Sequence, residues 1–307
     1  MRIDFINEIE KTTNIKRRDL LEKDLIIHLL LSDLSKNAFF SDNFAFKGGT
    51  CLIKTYLGYF RFSEDVDFTW INQKAFEGKS QKSVRTALSK TINKTGSLLE
   101  EITEKKGLDF KLNKNDKRYC EFGGGNKFCT FKIWYKSEIL NDTSFIKMQI
   151  NFIERICFPV KRKNVKSLIK KSEELLFLFP EYADYTKEIK LKTYDIREIF
   201  CEKIRAIITR KGIKARDFID LYLIDKKFHF LNELDECTIQ KINLALKLYN
   251  KYKTNFKEKI NQLKSGEFFT SGEEQKLLIS NINPNDFYDF LKKINTHINK
   301  IIENIER

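Results

Sequence analysis

The stretch that decides the fold is FAFKGGTCLIKTYLGYFRFSEDVDF, residues 44–68. FAF is typical of a short buried strand, and Gly48 and Gly49 follow it as a turn. Thr50 can cap a short helix, which Gly58 ends. After a loop, EDVDFTW alternates as a second strand. The pattern predicts a strand–turn–helix–loop–strand unit with polar residues at its edges.

The second strand carries two carboxylates, Asp65 and Asp67, one residue apart. Successive side chains of a strand point to opposite faces, so both carboxylates share one face, about 7 Å apart. Val66 and Phe68 share the other face, towards a core. Mg²⁺ prefers one or two carboxylates together with substrate phosphates. Since bare carboxylates repel each other, we expect a metal, Mg²⁺ or Mn²⁺, or a cationic side chain beside them.

The glycine turn predicts a seat for phosphate. Gly48 and Gly49 let backbone N–H groups approach an anion closely, and a helix N-terminus after them, at Thr50, favours negative charge. Arg61 can add a cation and Ser63 a hydroxyl donor. The glycine turn and the D-x-D pair can each also be ordinary structure, because glycine turns are common and D-x-D often lies on a solvated strand face. Their order within one unit favours a triphosphate and metal site.

The same residues resemble a known family. A G-G turn before a helix, then D-x-D on the next strand, is the signature of the polymerase-β-like nucleotidyltransferase superfamily. Residues Phe46–Lys54 and Arg61–Asp67 match F-K-G-G-T-x-L-x-K and R-x-S-x-D-x-D of AbiEii/AbiGii-type toxin nucleotidyltransferases, and Glu22–Leu34 resembles their leading helix. The resemblance implies an α+β fold, in which a mixed sheet with flanking helices precedes a C-terminal helical bundle.

A second set of residues follows in YDIREIFCEKIRAIITRKGIKARDFIDLYLI, residues 194–224. On a helix, Lys203 falls inside the apolar stripe, with Arg210 on the same side. Such a lysine either snorkels outward or meets a buried anion. Asp217 and Asp220 share a face of the next helix, where a carboxylate can also serve the helix dipole.

This second set resembles the same toxin family. The patterns K-x-x-A-x-x-x-R and R-D-x-x-D-L match Lys203 to Arg210 and Arg216 to Leu221. The resemblance implies that Lys203 and Asp217 are catalytic or contact the nucleotide. Arg216 and Asp220 are interpreted as a structural pair.

One departure concerns a third carboxylate, which the superfamily often carries on a later strand beside D-x-D. The strand predicted at SFIKMQINFI, residues 144–153, places Gln149 or Asn151 where that acid would stand. Either Asp217 supplies the missing carboxylate or the third acid is dispensed with. Activation of an acceptor hydroxyl by a strand carboxylate is therefore open, and so is the activity of this chain.

The rest of the chain divides into a mixed N-terminal part and a helical C-terminal part. We predict a nucleotidyltransferase domain at 1–192 and a helical bundle domain at 193–307. Further strands are expected at 107–112 and 126–135. The bundle is expected to contain five helices, at 195–211, 215–228, 237–262, 272–280 and 285–305.

Composition limits the possible partners. The 307 residues carry a formal net charge of +14, which favours a polyanion such as RNA, although a lysine-rich composition alone is an alternative. The basic run Lys161–Lys171 could contact RNA phosphates or be a solvated segment. The six cysteines form no C-x-x-C pair and are expected to be reduced thiols. With no signal peptide or apolar span, a cytoplasmic location without a membrane partner is expected.

The hypothesis is an Mg²⁺-dependent nucleotidyltransferase that transfers NMP from an NTP to an acceptor. The resemblance implies an RNA acceptor, with tRNA as the candidate, and a toxin of a toxin–antitoxin or abortive-infection system with a cognate antitoxin encoded nearby. One alternative is a nucleotidyltransferase that acts on a protein or a small molecule. Another is a catalytically silent NTP- or RNA-binding regulator.

Overall fold

A computed structural model describes residues 2–231, 233–265 and 278–306. The chain folds into two compact units. Unit 1 comprises Met1–Ile153 and Val160–Thr193, and unit 2 comprises Glu154–Pro159 and Tyr194–Arg307. The chain thus enters unit 2 briefly before it returns to finish unit 1.

Unit 1 contains a seven-stranded mixed sheet and flanking helices. Its strands are β1 (Phe44–Lys47), β2 (Asp65–Trp70), β3 (Cys120–Gly123), β4 (Phe128–Lys136), β5 (Thr143–Asn151), β6 (Lys161–Val165) and β7 (Ile189–Thr193). Its α-helices are α1 (Arg2–Thr13), α2 (Arg18–Lys36), α3 (Ala38–Asn43), α4 (Gly48–Cys51), α5 (Gln81–Lys105) and α6 (Glu173–Leu178). A π-helical turn, Leu52–Leu57, continues α4.

The strand order is β3-β4-β5-β2-β1-β7-β6, so the chain crosses over to build the middle of the sheet. β2 pairs parallel with β5 and β1 pairs parallel with β7, whereas the other pairs are antiparallel. All four residues of β1 are buried. Apolar runs of this kind are typical of a strand covered on both faces. A fully buried strand therefore leads directly into the glycine turn.

The strands differ from the sequence prediction in two ways. The strand predicted at 107–112 is wrong, because only an isolated bridge between Asp109 and Trp134 forms there. β3, β6 and β7 were not predicted. β6 reads KRKNV and exposes four of its five residues, so it lacks the apolar alternation that marks a strand. It forms at the sheet edge through its antiparallel pairing with β7.

Unit 2 is helical, as predicted. It contains α7 (Ile196–Thr209), α8 (Ala215–Phe228), α9 (Asp235–Leu248), α10 (Asn250–Ser265) and α11 (Pro284–Glu306). The single helix predicted at 237–262 is wrong, because Tyr249 adopts an extended conformation and separates α9 from α10. The helix predicted at 272–280 falls mainly outside the described residues. Within the described ranges, no helix is both long and apolar enough to cross a membrane.

Candidate active site

The glycine turn between β1 and α4 differs slightly from the prediction. The helix begins at Gly48 rather than after Thr50, and Lys47 occupies the N-cap position without a side-chain capping bond. The Thr50 hydroxyl instead donates a short hydrogen bond to the backbone carbonyl of Asp65. Thr50 therefore fastens the turn to the first residue of β2.

Glycine is required at two positions of the turn. One position meets β2, and the other meets the loop that precedes β2. Gly48 has a φ of +77°, and a Cβ on it would lie 2.1 Å from Asp67 Oδ2. A Cβ on Gly49 would lie 2.6 Å from Arg61 Nη2 and 3.2 Å from Ser63 Oγ. Real Cβ atoms do not make the two shorter contacts. The turn thus approaches one carboxylate, one guanidinium and one hydroxyl as closely as a backbone can.

The D-x-D pair lies as the alternation predicts. Asp65 and Asp67 are half-buried, whereas Val66 and Phe68 between and beyond them are buried. Two carboxylates on one accessible strand face, with a glycine turn against Asp67, form a donor set that suits a hard divalent cation. The geometry therefore fits the magnesium site that the sequence predicts.

The neighbouring strand β5 carries no acid on this face. In the parallel register of β2 and β5, Asp65 lies opposite Lys147 and Asp67 lies opposite Gln149. Thr69 lies opposite Asn151. The third carboxylate expected from the resemblance is therefore absent from this face of β5, and an amide lies directly beside Asp67.

Arg61 is held in place inside unit 1. The residue is 1% exposed, and its Nη1 donates a 2.7 Å hydrogen bond to the carbonyl of Phe62. Its guanidinium carbon lies 5.6 Å from the centre of the Phe60 ring. A buried guanidinium fixed in this way presents its remaining N–H groups in a set direction, here towards Gly49.

A buried group beside the turn was missed by the sequence reasoning. The Lys54 cluster consists of Lys54, Asp24, Tyr59 and Tyr185. Lys54 Nζ lies 2.7 Å from Asp24 Oδ1, and the hydroxyls of Tyr59 and Tyr185 each donate to Asp24 Oδ2 at 3.0 Å. Burial lowers the pKa of Lys54, which Asp24 opposes. The lysine of F-K-G-G-T-x-L-x-K therefore pairs with a carboxylate of α2, and only the long-range contact reveals this.

Unit 2 joins the residues of the second sequence motif. The Lys203 cluster consists of Lys203, Asp217, Asp220 and Arg210. Lys203 Nζ lies 2.7 Å from Asp217 Oδ1 and 2.6 Å from Asp220 Oδ2, while Arg210 Nη1 lies 3.0 Å from Asp217 Oδ2. Lys203 is thus buried against carboxylates rather than snorkelling outward. Asp220, interpreted as a structural partner, lies in the same cluster.

The charges of this cluster hold Asp217 ionised. Burial raises the pKa of Asp217, but Lys203, Arg210 and Arg216 outweigh it, and the pKa lies well below the usual value. The Arg210 side chain is 41% exposed, whereas Asp217 is 2% exposed. Arg210 therefore connects a buried ion pair to the surface of unit 2.

A further lysine joins this region and was also missed. Lys259, on α10, is 5% exposed, and its Nζ has no hydrogen-bond partner within the part of the chain that the structure describes. Burial and the charge of Arg210 lower its pKa to about 8, while Asp217 opposes the shift. A buried ammonium without a partner is costly, so an anion that reached it would relieve that cost. In a lysine-rich helix, nothing in the local sequence distinguishes this lysine.

The structure resembles a solved nucleotidyltransferase toxin. It is similar to MenT4, a nucleotidyltransferase toxin from Mycobacterium tuberculosis H37Rv, with a TM-score of 0.55 and 17% identity over 93% of this chain and 84% of that chain. JHP933 from Helicobacter pylori matches with a TM-score of 0.45 and 15% identity over 94% of each chain. No curated protein sequence matches the chain. The similarity to MenT4 establishes a shared fold.

The fold and the matched sequence define the class of protein as a nucleotidyltransferase. Residues 29–303 match a family model described as "Nucleotidyl transferase AbiEii toxin, Type IV TA system". The chain therefore belongs to the AbiEii family of nucleotidyltransferase toxins. Membership implies a nucleoside triphosphate as substrate and a cognate antitoxin, and it confirms the resemblance read from the two motifs.

Proposed function

We propose that this toxin transfers an NMP group from an NTP to an RNA, with tRNA as the first candidate acceptor, in an Mg²⁺-dependent reaction. The observation that carries this proposal is the approach of Gly48 and Gly49 to Asp67, Arg61 and Ser63. This turn offers backbone N–H groups, a cation and a hydroxyl next to the carboxylates that would hold a metal.

Unit 1 would bind the triphosphate. Gly48, Gly49 and Thr50 would hold the β- and γ-phosphates with backbone donors, and Ser63 and Arg61 would add a hydroxyl and a positive charge. When bound, Mg²⁺ on Asp65 and Asp67 would neutralise negative charge on the phosphate oxygens. The gain in rate would come from positioning and charge stabilisation at phosphorus as pyrophosphate leaves.

Unit 2 would supply charge control and acceptor orientation. Lys203 would neutralise charge that develops on the phosphates, and Asp217 would orient the acceptor or assist the metal. Asp217 remains ionised because its pKa lies below its usual value, so it can accept a hydrogen bond from an acceptor hydroxyl at neutral pH. Lys259 and Arg210 are near enough for their charges to interact, and together they would attract an anion to the Lys203 cluster.

An RNA acceptor is supported by charge. The net charge of +14 favours a polyanion. The basic run Lys161–Lys171 begins in the edge strand β6, and its cationic residues are exposed, namely Lys161, Arg162, Lys163, Lys166, Lys170 and Lys171. Exposed cations in one run suit phosphate contacts that carry no sequence preference.

The decisive experiment incubates the purified protein with each labelled NTP, Mg²⁺ and total tRNA. Wild-type protein is expected to transfer label to RNA, and Asp67→Asn is expected to abolish the transfer. Glu64→Gln is the matched control, because Glu64 lies three residues before Asp67 and pairs with Lys23 at 2.8 Å. Loss of label without Mg²⁺, and its return on adding Mg²⁺, tests the metal.

The alternatives give different outcomes in the same experiment. Label that survives RNase and enters protein or a small molecule would show another acceptor. Absence of transfer with every NTP, while NTP binding and growth arrest persist in Asp67→Asn, would establish a silent binding protein. The amide of Gln149 beside Asp67 is the observation that favours this last outcome.

A further inference from the structure

A short segment between β5 and β6, Glu154–Pro159, belongs to unit 2 although the chain on both sides of it belongs to unit 1. Polar side chains of unit 2 hold its backbone. Glu198 Oε2 accepts hydrogen bonds from the N–H groups of Cys157 at 3.0 Å and Phe158 at 2.9 Å. Lys241 Nζ donates to the carbonyl of Arg155 at 2.6 Å. The position of Cys157 is therefore fixed by contacts on both sides.

This anchoring brings two thiols together. Cys157 Sγ, Cys237 Sγ and a carboxylate oxygen of Glu198 all lie within 4.8 Å of one another. The Cys157 thiol also lies 3.9 Å from the carbonyl of Cys237. A disulfide needs the two sulfurs at about 2.0 Å, so its formation requires rotation of the two side chains and a shift of the segment.

The two thiols differ in exposure and acidity. Cys157 is half-buried, whereas Cys237 is 7% exposed. A hydrogen bond from Cys237 lowers the pKa of Cys157, and the charges of Lys241 and Arg155 help against burial and Glu198. Hydrogen bonds with Cys157 and Cys201 raise the pKa of Cys237. The thiolate is the reactive form, so Cys157 is the sulfur that an oxidant meets first.

We propose that Cys157 and Cys237 form a dithiol that hydrogen peroxide oxidises to a disulfide. The Cys157 thiolate attacks one peroxide oxygen, the O–O bond breaks, and a sulfenic acid forms at Cys157 while hydroxide leaves. The Cys237 sulfur then attacks Cys157 Sγ, the S–O bond breaks, and hydroxide takes the remaining thiol proton as water. Two thiols and one peroxide become one disulfide and two water molecules.

The surroundings favour this oxidation over binding of a metal by the same group. Glu198 already accepts two backbone N–H groups and pairs with Lys241. The pKa of Lys241 is raised, because Glu202 and Glu198 outweigh its burial, and its ammonium would repel a divalent cation. The disulfide would instead join segment 154–159 to α9 and close a covalent ring that contains β6, α6, β7, α7 and α8.

The chain offers a matched internal control. Cys120 and Cys129 lie on the paired strands β3 and β4, with Cys120 opposite Phe131 and Cys129 opposite Phe122. Both are buried, and burial raises the pKa of each thiol. Two neighbouring thiols that are buried and protonated are expected to stay reduced at a peroxide dose that oxidises Cys157.

The experiment treats the full-length protein with limiting hydrogen peroxide, removes the excess, and titrates thiols after unfolding. Wild-type protein is expected to fall from six thiols to four, since all six cysteines start free. Cys157→Ser is expected to lose none, and Cys129→Ser is expected to lose two. Digestion without reductant should yield one peptide pair, containing Cys157 and Cys237, that separates on reduction.

Three outcomes would overturn the proposal. The first is a wild-type count that stays at six at a dose where a small-molecule thiol is consumed. The second is a linked peptide pair that lacks either cysteine, a result that does not depend on any variant folding. The third is stoichiometric Zn²⁺ in purified wild-type protein that Cys157→Ser lacks, which would make the group a metal centre.

Discussion

Each unit buries a lysine against an aspartate, but the two surroundings differ. In unit 1, Lys54 meets Asp24, and the second oxygen of Asp24 receives the hydroxyls of Tyr59 and Tyr185. Lys54 is 2% exposed and Asp24 is 4% exposed. One cation therefore faces one anion in a closed site, whose remaining acceptor capacity is filled by neutral donors.

In unit 2, Lys203 meets two carboxylates, and Arg210 extends the group to the surface. Lys259 adds a buried cation that has no hydrogen-bond partner within the described residues. A closed ion pair of the first kind holds elements of a fold together. An open, cation-rich group of the second kind has spare donors for a ligand. Lys54 is therefore expected to stabilise the fold, whereas Lys203 is expected to act on a ligand.

The largest expected effect separates the two lysines by activity. Lys203→Met is expected to lower kcat/KM for nucleotide transfer by the folded protein about a thousandfold, because it removes charge stabilisation at the phosphates. It also strands the buried Asp217 and Asp220, so its free energy of unfolding is expected to fall as well. Lys54→Met is expected to leave the folded protein active but to lower its free energy of unfolding by about 3–5 kcal/mol, since it strands a buried carboxylate. Transfer kinetics and denaturant unfolding on both variants measure the two effects.

The comparison would fail if Lys54→Met, under conditions where it is fully folded, lost as much activity as Lys203→Met. Lys54 would then act in the reaction, and its pairing with Asp24 would be a resting state. Circular dichroism of each variant before the assay establishes how much folded protein is present.

The second prediction concerns the glycine turn and uses two glycines with nearly the same positive φ. Gly48 has a φ of +77° and Gly58 a φ of +79°, but a Cβ on Gly58 would meet nothing within 4 Å. Both alanine variants carry backbone strain of about 1–3 kcal/mol. Only Gly48→Ala pushes on Asp67, so it is expected to lower transfer about a hundredfold while Gly58→Ala stays within a few-fold of wild type.

If both alanine variants lose activity equally, backbone strain alone explains the loss, and the close approach of Gly48 to Asp67 has no catalytic importance. If neither variant loses activity, the glycine turn supports the fold, as the Lys54 cluster does, and has no role in catalysis. Assays at saturating NTP separate loss of kcat from weaker binding.

The third prediction tests whether exposed cations serve the acceptor. Replacing Lys163, Lys166 and Lys170 together by alanine is expected to raise KM for RNA about tenfold at low salt and leave KM for NTP unchanged. The salt dependence of RNA binding should become shallower, because fewer counterions are released. Replacing three exposed lysines elsewhere in unit 1, namely Lys79, Lys82 and Lys90, is the control. Equal effects in both triple variants would assign the result to net charge.

The smallest expected effect sharpens the role of Lys259. Its pKa is lowered from 10.5 to about 8, so between these values the unfolded chain binds more protons and stability rises with pH. Lys259→Gln is expected to flatten this rise, to raise Tm at pH 7 and to weaken NTP binding about fivefold. The exposed Lys257 on the same helix is the control. A variant with unchanged NTP affinity would leave Lys259 as a buried charge without a ligand.

Sequence patterns predicted the D-x-D face of β2 and the position of Lys203 on an apolar helix face, because both depend on the local periodicity of a strand or a helix. Strand alternation placed Asp65 and Asp67 on one face and left Gln149 or Asn151 at the position of a third acid, because the side-chain period of a strand leaves little freedom. The parallel register of β2 and β5 then brings Gln149 opposite Asp67. Helical periodicity placed Lys203 on an apolar stripe and therefore required a buried anion or an outward side chain. The structure supplies the anion as Asp217 and Asp220.

The remaining features depend on contacts that are distant in sequence. Asp24 and Lys54 are thirty residues apart, and neither position alone differs from a surface charge. β6 is a polar run whose strand conformation comes from pairing with β7. Lys259 is one lysine among several on α10, and only tertiary packing distinguishes it. Such features depend on which helices and strands pack against each other. The periodicity of the sequence holds no information about that packing.

The placement of Glu154–Pro159 also limits how this molecule can be divided. A gene fragment that ends at Thr193 carries this segment without Glu198 and Lys241, which hold its backbone. Exchange of the helical part between relatives would have to move two separate stretches of coding sequence together. The helical unit is therefore encoded by two separate stretches of the gene. Recombination at a single crossover would separate Glu154–Pro159 from the helices that hold it.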